Sequence, residues 1–135
     1  MLLKPNPSSG VPIYLQLMGQ IKHAIETGAL RAGEQLPGIR KLAEELVINP
    51  NTIAKVYREL EHEGVIELRQ GAGAFVAERK EAVVRPQILR AQPLIRNLIA
   101  KLASLNLSEE EMRRLIEAEL ASLRENGLPK GTGKR

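Results

Sequence analysis

The chain has 135 residues, 43% of them hydrophobic and 27% charged, with a formal net charge of +4; this is core-forming material, neither a disordered composition nor a membrane one. Cysteine is absent, which excludes disulfides, thiolate catalysis and every cysteine-based metal site and agrees with a reducing compartment. The opening Met1-Leu2-Leu3-Lys4-Pro5-Asn6-Pro7 does not read as a signal peptide, so a soluble cytoplasmic protein is expected: one domain of ordinary size plus an appendage.

Over residues 1–77 eight cations are balanced by eight carboxylates. The positive excess therefore lies entirely in the second half, and overall basicity says nothing about partners of the first.

After a loose start, Pro12 followed by Tyr14, Leu17, Met18, Ile21 and Ile25 predicts an amphipathic core helix ending near Gly28. His23 lies within it without a second histidine at ligand spacing, so a solvated or hydrogen-bonded role is expected. Residues 28–38 read as a turn with one short strand pairing at 34–36. Ile39, Leu42, Ala43 and Leu46 mark a shorter helix with Arg40 and Lys41 on its other side. Only Val47 and Ile48 separate it from Asn49, a helix-capping residue type, and Pro50, which suits a first helical position.

The helix from Asn49 runs to Gly64 and is the centre of the chain. Ile53, Val56, Tyr57 and Leu60 form its apolar stripe, while Asn51, Lys55, Arg58 and His62 fall on another face. No carboxylate occurs from Asn49 to Arg58, which leaves the positive end of the helix dipole open to an anion. Two helices joined by so tight a turn form the helix-turn-helix pattern. Past Gly64 the period changes: Val65, Ile66 and Leu68, then Gln70-Gly71-Ala72-Gly73, then Phe75 and Val76 predict a β-hairpin, and a hairpin directly after a helix-turn-helix is a wing.

Residues 78–86 serve as the connection. From Ile88 a helical stripe carries Leu89, Leu94, Ile95, Leu98, Ile99, Leu102 and Leu105, with Pro93 either kinking the helix or marking its start. Ser108-Glu109-Glu110-Glu111 is a capping-box start for a last helix bearing Met112, Leu115, Ile116, Leu120 and Leu123. The two stripes are expected to pair as an antiparallel hairpin around Asn106, and residues 127–135 to be an unfolded tail. A two-helix hairpin spanning 87–126 cannot bury its own stripes against chain entropy, so a second copy is expected to cover Leu94, Ile95, Leu98, Ile99, Leu102, Met112, Leu115, Ile116 and Leu120.

Pro12-Ile13-Tyr14-Leu15-Gln16, the run from Gly33 to Ala43, Asn49-Pro50-Asn51-Thr52 and Gly71 to Val76 stand in order. Over residues 11–77 the chain resembles the winged-helix domain of the GntR family of bacterial transcriptional regulators, and its short tail is similar to the YtrA-type branch. The resemblance implies a mainly α fold with a small β-hairpin, a winged helix-turn-helix over 1–77, and a two-helix dimerisation hairpin. It implies DNA contacts by Arg40, by Asn49, Pro50, Asn51 and Thr52 with Lys55 one turn on, and by the wing tip at Gln70 and Gly71. Two departures bear on this: Gly38 stands where the family has serine, and Ala72 and Ala74 replace a basic residue and a threonine in the wing, leaving Arg69 to compensate. Lys41 suits a phosphate and Arg58 faces outward beside the contacts.

The expectation is a dimeric repressor that binds an inverted-repeat double-stranded DNA operator, with no cofactor, no metal and no membrane association. An effector is conceivable at the dimer seam, but no polar constellation identifies one. The alternative is a winged-helix module for protein or RNA. Catalysis is not expected, since two distant histidines and solvated carboxylates offer no nucleophile, base and orienting group together.

Overall fold

A computed structural model describes residues 3–78 and 84–127. Its elements run α1 (Ile13–Glu26), α2 (Ile39–Leu46), α3 (Pro50–His62), β1 (Ile66–Arg69), β2 (Gly73–Val76), α4 (Pro86–Ala103) and α5 (Glu109–Asn126). The fold is thus mainly helical with one antiparallel hairpin, a winged helix-turn-helix followed by two helices. The expected tail beyond Gly127 and most of the connection, residues 79–83, lie outside the described residues. The chain divides into two units, Met1–Ala91 and Gln92–Arg135, and the division falls inside α4.

In the first unit the stripes read from the sequence are the core. Leu17, Met18, Ile21 and Ile25 of α1, Leu42 and Ala43 of α2, and Ile53, Val56, Tyr57 and Leu60 of α3 are all buried, joined by Ile66, Ala74 and Val76 of the hairpin. Large apolar side chains removed from water contribute roughly 1.5–3 kcal/mol each, so these stripes, rather than helix propensity, fix the three-helix arrangement.

Helix ends follow local chemistry. Asn49 Oδ1 accepts from the Asn51 amide at 2.8 Å and Pro50 occupies the first turn of α3. At the other end Gly64, at φ 80°, lets its own amide donate to Glu61 O (2.9 Å) and that of Val65 to Leu60 O (2.9 Å), which satisfies the last carbonyls as a Schellman motif. The turn of the helix-turn-helix closes in the same way with a less suited residue: Val47 takes φ 55°, ψ 53°, a left-handed conformation that β-branched side chains rarely adopt.

The wing register pairs Ile66 with Val76, Glu67 with Phe75, Leu68 with Ala74 and Arg69 with Gly73. Residues 33–36 lie along its second strand: Gly33 and Leu36 amides donate to Val76 O and Ala74 O, and the Val76 amide donates to Glu34 O, each at 2.8 Å. The short strand pairing expected at 34–36 is therefore present as a bridge between Gln35 and Phe75.

Residues 3–11, read from the sequence as a loose start, are held to the fold. Leu3 is buried, and two glutamines one turn apart on α1 hold the segment above it. Gln20 exchanges a pair of hydrogen bonds with the backbone of Lys4, at 2.8 and 3.0 Å. Gln16 accepts from the Asn6 amide at 2.7 Å and donates to Asn6 O and Val11 O.

Of the two alternatives left open at Pro93, the helix runs through it: α4 spans Pro86–Ala103 with Pro93 inside, where the missing amide leaves the carbonyl a turn earlier without its helical donor. α5 starts on the expected capping box, with Ser108 Oγ accepting from the Glu111 amide (3.1 Å) and Glu111 Oε1 from the Ser108 amide (2.9 Å). The chain turns between them at Asn106, φ 63°. Yet α4 and α5 do not cover each other's stripes: they share no extensive contact and neither has a buried residue. Two single-sided helices without a third layer leave apolar surface over.

Candidate nucleic-acid interface

Three elements of the first unit contribute the sequence-predicted residues, each held by a different local cause. α2 brings Arg40 and Lys41 in its first turn, α3 brings Asn49 through Arg58, and the hairpin loop brings Gln70 and Gly71. Arg40, Lys41, Asn49, Pro50, Asn51, Lys55, Arg58, Arg69, Gln70 and Gly71 are exposed, and Thr52 is half-buried. Arg40, Lys41, Arg69, Gln70 and Gly71 line one groove of about 680 Å³ between the start of α2 and the wing. No carboxylate lines it; its apolar part comes from Ile39, Leu68 and Ala74.

The position of α2 relative to α3 is set by Tyr57. Its ring is 1% exposed, and its hydroxyl donates to Pro37 O at 2.6 Å, fixing the turn that launches Arg40. Burial pushes the Tyr57 phenol well above the usual tyrosine range, so it remains a donor. The α2 start itself has no side-chain cap because Gly38 occupies it. A Cβ there would meet nothing within 4 Å, so the serine of the family pattern would fit.

The zero net charge of residues 1–77 becomes intelligible once the partners are seen. Several carboxylates are engaged within the fold: Glu63 pairs with Lys22 at 2.5 Å, Glu61 accepts from the Leu68 amide at 3.2 Å, Glu34 accepts from the Arg31 amide at 3.0 Å, and Glu26 pairs with Arg85 at 3.4 Å. Among the described residues, no ion pair engages Arg40, Lys41 or Arg58. These pairings leave Arg40, Lys41 and Arg58 uncompensated at the start of α2 and along α3, although residues 1–77 sum to zero charge.

Two predicted contacts carry prior commitments. Asn49 uses its Oδ1 as the α3 cap, leaving its Nδ2 for anything outside. Arg69 stacks over the Phe75 ring at 4.2 Å and pairs with Glu67 at 3.2 Å; by the register it stands on the hairpin face opposite Leu68 and Ala74. A phosphate approaching Arg69 competes with Glu67.

Sequence reasoning missed two residues that shape this surface. Gln35 Nε2 donates to Ala72 O at 2.9 Å and so holds the wing loop; its adjacency to the short strand was the signal available. Tyr14 was read only as core, whereas Lys55 Nζ lies 3.8 Å from its ring centroid.

Comparisons with known proteins bear on the fold and the family. Residues 13–76 match the family model described as bacterial regulatory proteins, gntR family. The chain is 36% identical over 104 residues to the uncharacterized HTH-type transcriptional regulator YhcF of Bacillus subtilis (strain 168), which covers 77% of this chain and 86% of that protein. It is 35% identical over 99 residues to the HTH-type transcriptional repressor YtrA of the same organism, over 73% of this chain and 76% of that one. A solved structure from Listeria monocytogenes EGD-e, described as a transcriptional antiterminator, superposes with a TM-score of 0.58 at 31% identity over 98% of each chain. With a winged helix-turn-helix under the family model and relatives of nearly its own length, the chain belongs to the GntR family of bacterial transcriptional regulators.

Proposed function

We propose that this regulator is a cytoplasmic, dimeric, sequence-specific repressor that binds an inverted-repeat operator through two recognition helices in successive major grooves. The observation that carries the reading is the exposed, carboxylate-free first half of α3 beside the cations of α2. In it Asn51 reads adenine edges and Arg40 a guanine, while Lys41, Thr52, Lys55 and Arg58 meet phosphates and the wing tip at Gln70 and Gly71 enters the minor groove. Asn49 and Pro50 chiefly set the helix start, and Arg69 exchanges Glu67 for phosphate on binding. The name of the B. subtilis relative YtrA supports the choice of repressor.

Pairing is assigned to residues 87–126. Leu94 (70% exposed), Ile95, Leu98, Leu115 and Leu120 are uncovered in the single chain, and Ile99, Leu102, Met112 and Ile116 only half-covered. A second copy of the same surface closes such a face with two-fold symmetry.

The test is fluorescence anisotropy with a duplex selected from the source genome by the purified protein. Arg40→Ala and Asn51→Ala are expected to weaken specific binding by roughly 1–3 kcal/mol each and Lys41→Ala to lower the salt slope by about 1. Unchanged affinity in both of the first two variants refutes the assignment. The antiterminator description of the Listeria structure favours a second reading, RNA binding. An RNA hairpin of equal charge that outcompetes the duplex would establish that reading instead.

A further inference from the structure

We propose that Tyr14, at the start of α1, is a positioning residue for DNA binding: its ring holds the Lys55 ammonium in place for a backbone phosphate. The proposal rests on the DNA reading above and extends it to an element outside the helix-turn-helix.

Tyr14 is half-buried and packed against the core that contains Leu17 and Met18, so its ring is fixed by the fold. Lys55 lies one turn after Asn51 on the same face of α3 and is exposed. Its ammonium sits 3.8 Å from the Tyr14 ring centroid, well inside the range of cation–π attraction. No carboxylate pairs with it among the described residues. An ammonium has three donors and a ring face occupies one side of it, so the remaining N–H groups stay free for an acceptor from solvent. A carboxylate partner would have cancelled the charge; an aromatic face keeps it. Without the ring the long lysine stem samples many rotamers, most of which carry the charge away from any one phosphate.

The experiment uses the full chain as wild type, Tyr14→Phe, Tyr14→Leu, Lys55→Ala and the double variant Tyr14→Leu/Lys55→Ala, each checked for an unchanged circular dichroism spectrum. The Lys55 Hε resonances report the contact without DNA. They are expected upfield of random-coil positions in wild type and Tyr14→Phe, and near those positions in Tyr14→Leu. Binding to a 20-base-pair duplex is expected to weaken about two- to fivefold in Tyr14→Leu, the strength of an exposed cation–π contact. Phenylalanine should restore wild-type affinity, and Tyr14→Leu should change nothing further once Lys55 is alanine.

Equal or tighter binding by Tyr14→Leu overturns the proposal, the latter because the ring would then be withholding the lysine. An equal loss in the Lys55→Ala background also overturns it, because Tyr14 would then act through the fold alone. A wild-type chain that binds no duplex overturns the proposal together with the DNA reading. Failure of the proposal alone is distinct: wild type binds, Lys55→Ala weakens binding, and Tyr14→Leu does not.

Discussion

Replacing Val47 by glycine should make the protein more stable, although it deletes an apolar side chain. Val47 sits at φ 55°, ψ 53°, where an L-residue forfeits roughly 1–2 kcal/mol and a β-branched one stands at the unfavourable end of that range. Little burial opposes the change, since the side chain is 90% exposed. The backbone bonds of the turn, Val47 N to Glu44 O (3.3 Å) and Ile48 N to Ala43 O (3.0 Å), do not depend on a Cβ. Glycine's greater freedom in the unfolded chain returns about 0.5–1 kcal/mol. The net gain is therefore about 0.5–1 kcal/mol, or about 2–8 °C in melting temperature for a unit of this size. Urea denaturation followed by circular dichroism, at one protein concentration, should show a higher midpoint with an unchanged slope. Val47→Ala removes only the branching and should fall between the two. A lowered midpoint for Val47→Gly, or an alanine variant as stable as glycine, would refute the strain account.

Tyr57→Phe keeps the buried ring but leaves Pro37 O without its donor; a loss of about 1–2 kcal/mol in the same denaturation is expected, and wild-type stability would show the bond to be thermodynamically neutral. Because burial holds the Tyr57 phenol above its ordinary range, its contribution is complete below about pH 10 and is lost as pH rises from there toward the folded value; the phenylalanine variant should lack this alkaline component. Gly73→Ala should cost roughly 1–2 kcal/mol, since φ is 115° and a Cβ would lie 3.0 Å from Gln35 Nε2, whereas Gly71→Ala meets no neighbour and should cost less; equal losses would deny Gln35 its role at the wing. Hydrogen bonds from the Ser108 backbone and side chain hold the Glu111 carboxyl below its usual range, so the α5 cap is in place above the ordinary carboxylate range and is lost as pH falls through the folded value; helicity of Glu111→Gln, measured by circular dichroism on acidification, should lack this component. Leu98→Glu should convert the proposed dimer to a single-chain mass in analytical ultracentrifugation at micromolar concentration, and an unchanged mass would place the pairing surface elsewhere.

The recognition region was legible because its signals are local. Asn49-Pro50 and Gly64 bracket a helix by capping chemistry, and Ile53, Val56, Tyr57 and Leu60 repeat at helical spacing; each then falls in the core. Gly71 and Gly73 likewise announce a hairpin through the conformations they permit. What escaped is carried by side-chain contacts between distant segments. The glutamine bonds that hold residues 4–11 on α1, the Gln35 bond to the wing loop and the Tyr14–Lys55 contact leave no periodic trace. Pro93 left two readings open for the opposite reason, a strong local breaker set among good helix formers, and the helix runs through it. The antiparallel pairing expected of the α4 and α5 stripes is not seen, because a stripe says only that something must cover it, not which element does.

The seam between residues 33–36 and the second wing strand has a calorimetric consequence. An isolated two-stranded hairpin is marginal in water, but this one is stapled along its length before any partner arrives, so the ordering entropy is spent during folding. Titration calorimetry of the regulator with a duplex should then give a heat-capacity change that scales with the interface area alone, without the excess that accompanies a segment folding as it docks.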